Sequence, residues 1–136
     1  MSTPQEENKA VIRRLNQEVW NEGNAAVLDE VFAADFIDCT ANPGSRPDRE
    51  GIKQLITMFG NAFSDTSSTI EDLIAEGDKV AYRWTFQGSH TGAFMGIPAT
   101  GRRITLTGIT IDRVAGNAIV ERWNQADFAG MMQQLA

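Results

Sequence analysis

The sequence predicts an α+β domain, with helices in its first half and strands in its second. Up to residue 63, apolar residues recur three and four apart, the period of a helix with one buried face. From Ser68 onward they alternate with polar residues, the period of a half-buried strand. The long strands follow one another without helices between them, so they should form an antiparallel meander covered by the helices rather than parallel crossover units. At 136 residues the chain can bury a core of its own, and a single domain over residues 1–136 is expected.

Each element has a local cause. Thr3-Pro4-Gln5-Glu6 reads as a capping box with proline in the first turn. Val11, Ile12, Leu15 and Val19 then share one helical face, with Trp20 beside them, and Gly23 supplies the left-handed residue that ends the helix. Asn24 caps a second helix carrying Val27, Leu28, Val31 and Phe32, so the two should form a helical hairpin. Phe36 to Cys39 reads as short and extended, and the Pro, Gly and Ser of residues 42–47 as a loop. Asp48 caps a third helix with Ile52, Leu55, Ile56, Phe59 and Phe63 on one face. Strands are expected at residues 68–75, around Val80, Tyr82, Trp84 and Phe86, at 104–114 and at 118–126, with turns at 76–79 and 115–117. In the third strand Ile104 and Leu106 share one parity and Ile109 and Ile111 the other, for which a bulge at Gly108 is the expected remedy. Residues 91–103 form a loop too apolar at Phe94, Met95 and Ile97 to be a loose linker. An apolar helix over residues 128–135 closes the chain. A bent sheet wrapped on helices makes a cone, and a cone encloses a pocket.

Composition removes several functional classes. A net charge of −6 argues against a nucleic-acid partner. No apolar run reaches the roughly 18 residues of a membrane span. The N-terminal residues lack a basic segment followed by an apolar one, so no secretory signal is expected and the default location is cytoplasmic. Cys39 is the only cysteine and His90 the only histidine, too few ligands for a metal site, and no nucleotide motif is present; no cofactor is expected.

The candidate site residues follow from their chemistry. In Glu121-x-Trp123-x-x-x-Asp127 a strand ends on a carboxylate just before an apolar helix. Desolvated in an apolar mouth, Asp127 would become a general base; left in water, it would cap the closing helix. His90 opens the glycine-containing loop and serves either as a proton shuttle or as a loop anchor. Arg113 serves either as an oxyanion donor or as a partner of Glu121 or Asp112. Asp38 and Cys39 lie on opposite faces of one extended segment, so one of them should reach the pocket. Trp20, Phe59, Phe63, Tyr82, Trp84 and Trp123 belong to the core by their spacing, and those that line a cavity would suit a flat, hydrophobic molecule.

Two stretches carry a resemblance. One is Trp20-Asn-Glu-Gly-Asn24 followed by residues 28–38; the other is residues 90–101, then Gly108-Ile109, Arg113, Gly116, Glu121-x-Trp123-x-x-x-Asp127 and Gln134-Leu135. Together they resemble the SnoaL-like polyketide cyclase family, of the cone-shaped nuclear-transport-factor-2-like superfamily. The resemblance implies N-terminal helices packed on a strongly curved, mainly antiparallel sheet. It also implies a cofactor-free enzyme that closes a polyketide ring by intramolecular aldol condensation of a small hydrophobic carbonyl compound, with Asp127 at the position of the family's acid/base. A homodimer through the sheet is expected as well. Superfamily members that open epoxides use an aspartate–arginine–aspartate set, for which Asp38, Arg113 and Asp127 are the counterparts; others bind ligands without chemistry.

Overall fold

The computed structural model describes residues 3–136; Met1 and Ser2, where the reading of the N-terminus began, lie outside the described residues. The elements are α1 (Pro4–Arg14), continued by a π-helical stretch Leu15–Asn21, α2 (Ala25–Val31), β1 (Phe32–Asp38), α3 (Arg49–Ala62), β2 (Phe63–Glu76), β3 (Lys79–His90), β4 (Arg103–Ala115), β5 (Ala118–Ala126) and α4 (Phe128–Leu135). The Thr3 side chain accepts the Glu6 N–H at 3.1 Å, and Asp48 accepts the Gly51 N–H, so these two expected N-caps form, whereas Asn24 stands at the start of α2 without a side-chain capping bond.

The strands make one five-stranded sheet in the order β1-β5-β4-β3-β2. β1 runs parallel to β5; the other three pairings are antiparallel. Gly116 and Asn117 both take positive φ in the β4–β5 turn, which lets a two-residue hairpin match the twist of its strands. The helices cover the inner face and bury two apolar clusters. One centres on Ile12, Leu28, Phe32 and Phe36, the other on Phe59, Phe63, Phe86 and Phe94, and Trp20 and Trp84 pack against both. Phe94 is buried against Phe59 and Phe63, each with ring centroids at 5.3 Å, and so pins the 91–102 loop to the core. Full burial of such a ring contributes about 2–3 kcal/mol.

Three local expectations are corrected. Phe32 and Phe63 open strands instead of closing helices: each is buried beside its strand neighbours, and the preceding helix ends one residue earlier. There is no bulge at Gly108. β4 alternates without a break, Ile104, Leu106, Gly108, Thr110, Asp112 and Val114 facing inward and Ile109 and Ile111 outward. The inner face therefore turns polar in mid-strand. A bulge does exist one strand over: Arg113 pairs with Glu121 but Val114 with Ile119, which leaves Val120 as an extra residue in β5. That residue inverts the facing of everything after it, so Ile119 and Arg122 both point inward.

Candidate functional site

Between the helices and the inner face of the sheet lies a partly open cavity of about 80 Å3. Its apolar part is Leu15, Trp20, Phe59, Phe86, Leu106 and Phe128, with Ile12, Leu55 and Ala126 around them. Trp20 meets Phe59 and Phe86 edge-to-face at 6.1 and 6.0 Å. The polar part comes from β3, β4 and β5: Tyr82, Trp84, Thr110, Arg122 and Asn124, faced by Asn16 and Ser68.

The strand register builds the polar wall. Tyr82 pairs with Thr110 and Thr110 with Asn124, while Asp112 pairs with Arg122, so these side chains share one face. Arg122 donates through Nε to Asp112 Oδ1 at 2.8 Å and through Nη2 to Oδ2 at 2.9 Å. Tyr82 donates its hydroxyl proton to Asp112 Oδ2 at 2.6 Å and accepts from Arg122 Nη2 at 3.1 Å. Asp112 is 0% exposed and Arg122 8%. Burial raises the Tyr82 pKa, so the phenol keeps its proton. Burial works against the Arg122 charge, but Asp112, Tyr82 and Asp38 outweigh it and the pKa is raised. Beside this group, Trp84 Nε1 donates to Thr110 Oγ1 at 2.9 Å and Thr110 donates to Asn124 Oδ1 at 2.7 Å. Across the cavity, Asn16 and Ser68 satisfy each other: Ser68 Oγ donates to Asn16 Oδ1 at 2.7 Å and Asn16 Nδ2 to the Ser68 carbonyl at 3.1 Å.

Of the residues singled out in the sequence, Trp20, Phe59, Tyr82 and Trp84 line the cavity. The others fall elsewhere. Asp127 is exposed, and its Oδ1 accepts the Gly130 N–H at 3.0 Å. It caps α4 in water rather than standing in an apolar hollow, and a Cβ at position 130 would sit 2.2 Å from its Oδ2, so the cap folds tightly over that glycine. Its neighbours Ala126 and Phe128 line the cavity, which places Asp127 at the rim. Arg113 pairs with Glu121 and reaches Asp78 at 3.7 Å, away from the cavity wall. His90 is 0% exposed and anchors the loop: its Nδ1 accepts the Thr100 N–H at 3.2 Å and lies 2.9 Å from the Thr100 hydroxyl, while its Nε2 has no partner among the described residues. Phe63 stacks on Phe59 at 5.6 Å, behind the cavity wall. Asp38 accepts from the N–H and hydroxyl of Thr40 at 3.0 and 3.1 Å; Cys39 is exposed, 3.9 Å from a Glu121 carboxylate oxygen. Trp123 faces outward under Lys79, 5.4 Å from its ring centre, because the Val120 bulge turns it there. Asp38, Arg113 and Asp127 each hold a different partner, so the expected aspartate–arginine–aspartate set around a water is not assembled.

Sequence reasoning missed Asn16, Ser68, Thr110, Asp112, Arg122 and Asn124. The available signal was Thr110 and Asp112 continuing the inward phase of Ile104 and Leu106. No group of three or more His, Cys, Asp or Glu among the described residues gathers closely enough to hold a metal ion, and no described helix is long and apolar enough to cross a membrane.

Helices packed on a curved, mostly antiparallel five-stranded sheet around a largely apolar cavity define a cone-shaped α+β domain with an internal cavity. Residues 10–135 match the SnoaL-like polyketide cyclase family, and the chain belongs to that family. It is 26% identical over 118 residues to the nogalonic acid methyl ester cyclase of Streptomyces nogalater, covering 85% of this chain and 88% of that one. It is 27% identical over 132 residues to the aklanonic acid methyl ester cyclase DnrD of Streptomyces peucetius, covering 92% and 88%. The structure of TsrD from Streptomyces laurentii superposes with a TM-score of 0.88 at 28% identity, covering 99% of this chain and 98% of that one. The nuclear-transport-factor-2-like cone expected from the sequence is the fold observed.

Proposed function

We propose that the protein is a cofactor-independent cyclase that closes a ring in a small, hydrophobic, polyketide-like carbonyl compound. The observation that carries this is the cavity: apolar on most of its surface, with six aromatic side chains in its lining and one polar wall on which Arg122 is the sole charged lining residue. In an intramolecular aldol closure a C–H bond next to a carbonyl breaks, a C–C bond forms, and the attacked carbonyl becomes a hydroxyl, so substrate and product are isomers. Charge develops on oxygen, and hydrogen-bond donors fixed where that charge appears lower the barrier. The aromatic walls hold the chain folded with its reacting carbons close. No lining residue is a carboxylate or an imidazole. The proton therefore leaves through the mouth to water, beside the rim carboxylate of Asp127, and the alkoxide formed from the attacked carbonyl takes a proton back from water.

The test uses nogalonic acid methyl ester and aklanonic acid methyl ester, the compounds named for the two relatives. Conversion of either to a cyclised isomer of unchanged mass, followed by chromatography and NMR, is expected. Binding without conversion would make the protein a carrier; neither binding nor conversion would remove the cavity as a ligand site for this class. Asp127→Asn keeps an equally good cap and should leave turnover within about tenfold of the parent, whereas loss of a true general base removes about 10²–10⁴.

We also propose that a second copy covers the outer face of the sheet. Ile74, Ala81, Ile111 and Trp123 stand in one register row across β2, β3, β4 and β5, and Ile74, Ile109 and Ile111 are exposed. Light scattering should give a dimer, and Ile111→Glu a monomer; a parent protein that stays monomeric at every attainable concentration would refute the pairing.

A further inference from the structure

We propose that Asn124 is an oriented hydrogen-bond donor of the cavity, set to receive an acceptor oxygen of the ligand (a carbonyl, enolate or phenolate) beside the Arg122 guanidinium. This assignment rests on the cavity being the ligand site proposed above. Its direction follows from what each group can do. An indole N–H is a donor only, and a threonine hydroxyl has a single proton. Trp84 Nε1 donates to Thr110 Oγ1, so the Thr110 proton is free for another partner, and it goes to Asn124. The Asn124 atom facing Thr110 is therefore its carbonyl oxygen. Turned the other way, the amide would aim an N–H at that hydroxyl and leave the hydroxyl proton without an acceptor. Nδ2 consequently points away from Thr110, and no hydrogen bond among the described residues engages it, although Asn124 lines the cavity.

The rest of the wall offers no competing acceptor. Asp112 is buried with both carboxylate oxygens engaged by Arg122 and Tyr82, and the Tyr82 proton is spent on Asp112. Asn16 and Ser68 satisfy each other on the opposite side. Arg122 stands two residues before Asn124 on the same face and makes its protein hydrogen bonds through Nε and Nη2, leaving Nη1 unengaged. The wall thus presents donors and selects for oxygen that accepts. Thr110 is a positioning residue here: it fixes which end of the amide meets the ligand.

A matched pair of probes separates this from simple apolar binding: 2-acetonaphthone, which carries an acceptor oxygen, and 2-isopropenylnaphthalene, in which a CH2 group takes the place of that oxygen. Binding is read by the fluorescence of Trp20 and Trp84, and the carbonyl stretch of the bound ketone by infrared difference spectroscopy. The parent protein should prefer the ketone by about tenfold, the worth of one well-made hydrogen bond, with the stretch moved to lower wavenumber. Asn124→Asp keeps the oxygen for Thr110 but removes the N–H; the preference should drop to about twofold or less and the stretch return to its position in an apolar solvent. A folded Asn124→Asp protein that keeps both preference and shift overturns the assignment. Equal binding of both probes by the parent overturns it too while leaving the cavity reading intact, and binding of neither removes both. Should Asn124→Asp fail to fold, Thr110→Val serves in its place: freeing the amide should weaken the infrared shift, and an unchanged shift would refute the orienting role.

Discussion

Asp112→Ala is expected to destabilise the protein by about 3–5 kcal/mol, the usual consequence of removing one partner of a buried ion pair. The reason is not the attraction that is lost but the charge that is left. Arg122 is 8% exposed and makes its protein hydrogen bonds only to Asp112 and to a phenol that is itself held by Asp112. Without the carboxylate, a guanidinium with no counter-charge in hydrogen-bond reach and an unpaired Tyr82 hydroxyl remain under the cavity. Domains have only about 5–15 kcal/mol in total, so the melting temperature should fall by roughly 10–20 °C. Two comparisons isolate the cause in urea denaturation. Arg113→Ala removes a half-exposed pair with Glu121 and should change stability by about 1 kcal/mol or less. Asp112→Leu combined with Arg122→Met removes both charges and should recover much of the loss, because well-packed apolar replacements of buried pairs are often neutral. A loss below about 1 kcal/mol for Asp112→Ala would mean that water or a rearranged side chain compensates Arg122, and that the carboxylate is not what holds the guanidinium in the wall.

The same residues show what the sequence could and could not disclose. The helices, the four long strands and the closing helix follow from periodicity, since burial of one face is what makes each element form. Trp20, Phe59, Tyr82 and Trp84 were legible as cavity residues because large aromatics on core faces must border any hollow there. The polar wall was hidden by two assumptions. One was that the inner face of β4 must stay apolar, which read the outward Ile109 and Ile111 as a change of phase at Gly108. The other was that Trp123 belongs to the core, which gave to it the face that Arg122 and Asn124 occupy. One extra residue in a strand exchanges its faces, and with Val120 extruded it is Arg122 and Asn124 that turn inward. Hydrophobic patterning cannot locate such a bulge, because the bulge is selected by the polar side chains it delivers and by the partner strand. Asp127 was ambiguous for a different reason: a strand-end carboxylate and a helix cap share one sequence signature, and only coordinates distinguish a dry oxygen from a wet one.

Gly108→Ala should destabilise the protein by about 1–3 kcal/mol and abolish the ketone preference of the cavity, although the change adds one methyl group. A Cβ at this position would lie 2.3 Å from Trp84 Cζ2, 2.7 Å from Cε2 and 3.0 Å from the Gln125 carbonyl oxygen. The absence of a side chain is what lets the indole lie across β4, opposite its register partner. Two effects oppose each other. Alanine in a strand interior gains about 0.5–1 kcal/mol over glycine, and the overlap costs more than that because the ring is rigid and its N–H is held by Thr110 at 2.9 Å. At Gly60, in α3, a Cβ would meet nothing within 4 Å, so Gly60→Ala should stabilise the protein and serves as the control. When the indole is displaced, Thr110 no longer needs to receive its proton donor, the hydroxyl can turn, and the Asn124 amide loses its fixed sense. Trp84→Phe added to Gly108→Ala separates the two consequences, because the smaller ring makes room but carries no N–H. Stability should then return toward that of Trp84→Phe alone, an interaction energy of order 1 kcal/mol in the double-mutant cycle, while the ketone preference stays lost. If Gly108→Ala proves as stabilising as Gly60→Ala, the indole is not packed on that glycine, and the fixed orientation of Asn124 loses its foundation.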